Sequence, residues 1–272
     1  MSISLLILTD FFQAANRALD YATTLAVPLH ARLVLLHVRR DSLLDPELLT
    51  DQLATQSQEA IDLALHRVTA DLPVPVLAEV GHGRVADAVA AAVARHHPAL
   101  IVLGRPDESD LPPELVQTTS LDILRTAPYP MLVVPHQVTH ATPPRRVLLA
   151  VDGDEFTLGE HAGASHQLLA ALHAELSVLT VLSDADTPNS APAALESVQR
   201  TGLTLGLPAV HSLIVHDASP ARGILHAAQP ADFDLVVLIA RRRSFLSELF
   251  HRSVTAQVLL GSEIPVLVLP AQ

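Results

Sequence analysis

Two repeated doubly wound α/β domains, each a five-stranded parallel sheet with helices on both faces, are predicted by three observations. The first is an internal repeat: "SLLILTD" at 4–10, "LHARLVLLHV" at 29–38, "ALIVLG" at 99–104 and "YPMLVVP" at 129–135 recur in the same order as "RVLLAVD" at 146–152, "LHAELSVLTV" at 172–181, "LVVLIA" at 235–240 and "IPVLVLP" at 264–270. The second is alternation, within each copy, of short β-branched runs with stretches whose apolar residues return every three or four positions. The third is that the strand runs are continuously apolar, the mark of parallel strands covered on both faces.

Leu5 to Leu8 form the first buried strand, and Ala14, Ala18, Ala22 and Leu25 with Ala26 line one face of the helix after it. Leu33 to Val38 make the second strand. A long helix around Pro46 to Ala70 carries Leu49, Leu53, Ile61, Leu65 and Val68 on its apolar side. A strand at Val74 to Val80, a helix at Val85 to His96, a strand at Leu100 to Leu103, a helix near Thr119 to Thr126 and a strand at Met131 to Val134 complete the unit. Gly81 and Gly83 turn the chain into the following helix. The repeat offsets drift from 142 and 143 to 136 and 135, so copy two has lost a few residues midway. The polar, proline-bearing "HQVTHATPPRR" reads as a linker. Copy one is therefore assigned residues 1–136, the linker 137–145 and copy two 146–272.

Composition excludes several functions. The chain has 272 residues and no cysteine, hence no disulfide framework, thiolate zinc site or cysteine nucleophile. It also has no lysine, hence no Walker-type lysine and no Schiff base. A net charge of -12 repels phosphate backbones and argues against nucleic acid as a partner. No uninterrupted apolar stretch of about 18 residues suggests a membrane span, and "MSISLLILTDFF" lacks the basic start of a signal peptide. The expected location is cytoplasmic. The 15 histidines lack helical ligand spacing beside carboxylates, so no metal site is assigned. No nucleophile–base–orienter set accompanies Asp10 or Asp152, so no catalytic residue is assigned and the chain is expected not to be an enzyme.

In doubly wound sheets ligands lie beyond the carboxyl ends of the strands, where strand order reverses. The residues in question there are Asp10, Val38, Gly81 to Gly83 and Gly104 in copy one, and Asp152, Val181, Asp217 to Pro220 and Ala240 in copy two. On "ILTD", "LLHV", "VGHGRVADAVAAAVARHHPALIVLG" and "PMLVV", and on "LLAVDGDE", "VLTV", "DASPARGILHAAQPADFDLVVLIA" and "IPVLVL", the chain resembles the universal stress protein family, specifically its tandem-domain members. The resemblance covers nearly the whole length, twice. It implies an adenine nucleotide alpha hydrolase-like fold and a strand-end Asp that contacts adenine. It also implies a loop of the form G-x2-G-x9-G-S/T after the fourth strand, wrapping the phosphates of ATP. A role in stress response follows from it, as does pairing of the two copies through their last strands into an internal pseudo-dimer. A homodimer of the whole chain is compatible with it but not demanded, and protein partners are left unnamed.

Both copies depart from the loop pattern. Copy one keeps Gly104 but places Asp107 and Gln117 at the next two glycines, with Thr118 at the hydroxyl position followed by Thr119 and Ser120. Aligned on the "LVVLIA" repeat, copy two has Ala240 and Arg243 at the first two glycines. A loop one residue shorter then brings Arg252 to the third and Ser253 to the hydroxyl. Glycine allows φ > 0 and lets backbone amides approach phosphate closely, and arginine does neither cheaply. Asp107, Glu108, Asp110 and Glu114 would repel a triphosphate unless magnesium bridged them.

Thr118, Thr119 and Ser120 are expected at a helix N-terminus, either as an anion site or as a plain cap formed by Thr119 with Asp122. Arg241, Arg242, Arg243 and Arg252 have three readings: an anion site, a plug pairing with Asp152 or Asp154 across an emptied cleft, or a solvated run. Phe245, Leu246, Leu249 and Phe250 are spaced as one helix face. ATP is carried as a ligand of the copy-one cleft only, through Asp10, Val38, Gly104, Thr118 and Thr119. Asp152, Val181, Arg243 and Ser253 form a vestigial or small-anion site in copy two.

Overall fold

A computed structural model describes residues 3–39, 51–107, 113–126, 128–139, 141–183, 190–241 and 253–272, with 51–58, 113–118 and 190 described by backbone alone. Copy one runs β1 (Ser4–Thr9), α1 (Gln13–Leu29), β2 (Arg32–Arg39), α2 (Asp51–Thr69), β3 (Val76–His82), α3 (Val85–His96), β4 (Leu100–Arg105), α4 (Pro113–Thr126) and β5 (Met131–Pro135). Copy two runs β6 (Arg146–Val151), a 3-10 turn (Gly159–His161), α5 (Ala162–Leu172), β7 (Glu175–Leu182) and α6 (Ser190–Arg200), then β8 (Val210–His216), α7 (Pro220–Ala227), β9 (Leu235–Arg241), α8 (Val254–Gly261) and β10 (Val266–Ala271).

The ten strands form one sheet in the order β3-β2-β1-β4-β5-β10-β9-β6-β7-β8. Pairing is parallel inside each copy. The copies join where β5 and β10 pair antiparallel, Met131 opposite Val268 and Val133 opposite Val266. The last strands thus meet edge to edge, and each covers an edge that would otherwise template aggregation.

The apolar runs divide by alternation between the two faces. Leu5, Ile7, Leu33 and Leu35 pack with Ala18, Ala22 and Leu25 of α1. Leu6, Val34 and Leu36 pack with Val89 and Ala92 of α3 and Leu121 and Leu124 of α4. Each such leucine, fully withdrawn from water, contributes about 1.5–3 kcal/mol. Three helices end on histidines in the left-handed region, His30, His97 and His173, where glycine would be expected.

Two sequence expectations change. The strand expected at 74–80 lies at Val76–His82; the long helix is described over Asp51–Thr69, its expected start falling in 40–50, outside the described residues. The helix expected near Thr119 instead starts at Pro113, whose fixed φ and missing N–H suit a first helical position. Thr118, Thr119 and Ser120 consequently lie inside α4. Their amides donate along the helix rather than standing free at its start.

Candidate functional site

Strand order reverses between β1 and β4 in copy one and between β6 and β9 in copy two, so each cleft opens above those pairs. In copy one, β1 is followed by Asp10, whose Oδ1 accepts the Phe12 amide at 3.0 Å, while Thr9 Oγ1 accepts the Phe11 amide at 3.1 Å. These side-chain turns hold Phe11 at φ 66, and its ring stacks on His37 with centroids 4.7 Å apart. His37 is fixed in turn by Nδ1 against the Thr9 carbonyl at 3.0 Å. Val38 is half-buried against α3's face of the sheet, and Phe12 stands 73% exposed at the rim.

Gly104 ends the apolar part of β4 directly beneath the start of α1. A Cβ there would lie 2.1 Å from the Ala14 carbonyl oxygen and 2.9 Å from the Ala15 nitrogen. Only glycine allows that helix to begin so close to the strand. α1 accordingly starts at Gln13, immediately after the Asp10 turn.

Copy two differs, and strand register shows how. Leu5 pairs with Leu100 and Val147 pairs with Leu235, while Ile101 pairs with Met131 and Val236 with Val266. The counterpart of Gly104 is therefore Ile239, not Ala240. With this register the positions 239, 242, 252 and 253 repeat the spacing of 104, 107, 117 and 118 without any shortening. The second-glycine position belongs to Arg242 rather than Arg243. The repeat "ALIVLG"/"LVVLIA" matched the apolar run one residue out of phase because every side chain in it is interchangeable. Arg242, Arg243, Arg252 and the expected apolar face from Phe245 to Phe250 lie outside the described residues.

An isoleucine cannot occupy space about 2 Å from helix backbone, and α5 begins only at Ala162, far beyond Asp152. The residues between form a loop that buries Phe156 and Leu158 and pairs Thr157 with Gln272 by N–H···O bonds of 3.3 and 2.9 Å. Arg241 holds that loop in place. Its Nη2 donates to Asp152 Oδ1 at 2.9 Å and to the Asp154 carbonyl at 3.0 Å, and its Nη1 donates to the Glu155 carbonyl at 2.8 Å. Nε lies 3.3 Å from Asp152 Oδ2, and the Asp154 carboxylate stands 3.9 Å away. The Arg241 side chain is only 14% exposed although its partner Asp152 is 61% exposed. The Asp152 hydrogen bond, against the opposing cost of burial, raises the guanidinium above its ordinary range.

Asp152 itself turns the chain as Asp10 does, accepting the Asp154 amide at 3.1 Å. Val181 is clasped by Gly223, where a Cβ would come within 2.6 Å of its Cγ1. Ser253 spends its hydroxyl as the N-cap of α8, accepting the Ala256 amide at 3.1 Å.

Sequence reasoning missed Arg105, the residue after Gly104. It is 9% exposed and turns away from its own cleft into copy two. There it donates to the Leu259 carbonyl and, at 2.5 Å, to the Ser262 carbonyl, with Gln137 Oε1 at 3.4 Å. It thus caps the C-terminal end of α8, where a cation suits the helix dipole. The one sequence signal was a charge closing an apolar run.

Among the described residues no helix is long and apolar enough to cross a membrane. No curated protein matches the chain. A universal stress protein from Archaeoglobus fulgidus DSM 4304 shares the fold with TM-score 0.75 at 18% identity, covering 98% of either chain. A functionally unknown protein from Pseudomonas aeruginosa PAO1 is similar with TM-score 0.60 at 21% identity, over 98% of this chain and 92% of that one. The cytoplasmic domain of a prokaryotic cation chloride cotransporter is similar with TM-score 0.56 at 12% identity, over 100% of this chain and 95% of that one. The universal stress protein family matches residues 2–135 and again residues 144–270. Matched twice along one chain and folded as two joined copies, the protein belongs to the universal stress protein family.

Proposed function

We propose that the protein serves the stress response as a non-catalytic, cytoplasmic regulatory and interaction protein whose phosphate loops have lapsed. The observation that carries this reading is Arg241, which spans the copy-two switch point from the end of β9 to Asp152 and the 154–155 carbonyls. That is the plugging role among the three open to the arginine run. A ligand entering there would have to displace a bidentate charge-assisted pair, among the strong hydrogen bonds. In copy one the amides of Thr118 and Thr119 are spent inside α4 and are not free to meet a phosphate.

Titrating the chain with Mg-ATP by calorimetry and thermal unfolding tests this. No heat and no shift in Tm at millimolar nucleotide are expected, from the native chain or from Arg241→Ala. Binding at a hundredfold excess over Kd would instead stabilise by about 2.7 kcal/mol. ATP turnover abolished by Asp10→Ala would overturn the non-catalytic reading.

A second reading is an adenine-nucleotide sensor in copy one. It is favoured by the exposed Asp10, the retained Gly104 and the turning of Arg105 out of that cleft. A Tm shift lost on Asp10→Ala but kept on Asp152→Ala would establish it.

A further inference from the structure

The seam between the copies holds a histidine in a setting hostile to positive charge. α1 and α5 pack together on one face of the β5·β10 join. His161 ends the 3-10 turn of copy two and stands as the N-cap residue of α5. Its ring lies edge-on to Tyr129 of copy one, with centroids 4.5 Å apart and planes at 64°. The Pro128 carbonyl of the same copy-one turn favours a proton on the imidazole. The side chain is 13% exposed. His161 therefore docks the start of α5 onto the Pro128–Tyr129 turn that feeds β5.

We propose that His161 is a proton-sensitive latch: neutral, it holds the start of α5 against copy one, and protonated, it releases that contact and loosens the seam. Two independent effects oppose the imidazolium. It would sit at a helix N-terminus, where the peptide dipoles present positive charge. It would also be largely withdrawn from water, against the favourable hydration of an ion.

The surrounding groups do not reverse the balance. Glu160 lies 3.8 Å from Nε2 but is 85% exposed, so water screens its attraction. Tyr129 is held neutral, its hydroxyl pushed up by burial and by Glu160. From α1, packed on α5, come Arg17, which donates to the His136 carbonyl, the exposed Asp20, and Tyr21, whose hydroxyl is buried. Arg17 adds positive charge. Asp20, whose carboxyl is pushed up by burial, adds negative charge that its exposure to water screens. His166, on α5 itself, is engaged with the Leu205 carbonyl at 2.8 Å.

Burial lowers His161 below the ordinary imidazole range, outweighing Glu160 and the Pro128 carbonyl. The unfolded chain then binds more protons than the folded one just below neutrality. Stability contributed by this site falls as pH drops through the ordinary value of about 6.5, and levels off below the folded value.

The test follows hydrogen exchange of the full chain between pH 7.5 and 5.5, corrected for intrinsic rates, in the native protein and in His161→Phe. Phenylalanine keeps an aromatic edge against Tyr129 but takes no proton. In the native chain, peptides covering 128–135 and 158–172 should lose protection several-fold on acidification relative to other strands. In His161→Phe they should not. His161→Gln, which stays polar but takes no proton, gives the same reading should the phenylalanine variant fail to fold. NMR titration of the ring should show a midpoint below 6.5. Equal acid sensitivity in native and substituted chains, or a midpoint at or above 6.5, overturns the proposal.

Discussion

Single positions decide how each copy's first helix meets its sheet. Gly104 and Ile239 occupy one place in the register, yet only the glycine tolerates a helix start whose carbonyl would lie 2.1 Å from a Cβ. Gly104→Ala therefore has to push α1 off the sheet, an overpacking that costs about 2–3 kcal/mol. Urea unfolding should show the loss, and a change below about 0.5 kcal/mol would mean that α1 shifts freely. The strand-end aspartates act first on their own chain: both Asp10 and Asp152 accept the amide two residues on. What separates them is Arg241, which reaches Asp152 and has no counterpart beside Asp10 in the register, where Pro106 stands.

At the scale of elements, most strands and the helix start at Val85 were legible, while the start of α4 was not. Continuous runs such as Leu33 to Leu36 admit one interpretation, since few arrangements bury every side chain of an extended segment. The start of α4 was misplaced because Thr119 with Asp122 mimics a cap, whereas Pro113 opens the helix six residues earlier. The late start of α5 was invisible, since it depends on Ile239 from a distant strand rather than on local propensity. Arg105 was missed for the same reason, its partners being more than 150 residues away in α8. Arg105→Ala strips buried carbonyls of a charged donor and removes the cap of α8. Its expected cost is about 2–4 kcal/mol. Hydrogen exchange should place the loosening at 254–271 as well as at β5. A loss confined to copy one would show that Arg105 does not hold the copies together.

For the whole molecule, the repeat in the sequence was enough to foresee two five-stranded halves, and the family resemblance implied their meeting at the last strands. The phase of the fourth strand needed the hydrogen-bond register. Acid behaviour is also a property of the whole chain. Asp234 joins the feet of β9 and β6 through two Arg146 side-chain contacts, the shortest at 2.7 Å, and through the amides of Arg145 and Arg146 at 2.9 Å. Burial raises its carboxyl, but the hydrogen bonds and charge of Arg146 outweigh it and leave the group below its ordinary value. The unfolded chain then takes up the proton first, so stability is lost as pH falls below about 4. Partial exposure of both partners limits the effect to about 1 kcal/mol. Asp234→Asn should flatten that limb of a pH–stability curve, and an unchanged acid limb would remove Asp234 from the account.

The antiparallel join of β5 to β10 has one more consequence. Two separate subunits encoded by one gene receive every substitution twice, so a change that shuts one cleft shuts both. Here the halves share a polypeptide and evolve as separate texts. An isoleucine and an arginine could arise in copy two while a glycine kept copy one's helix in place, and dilution cannot part them.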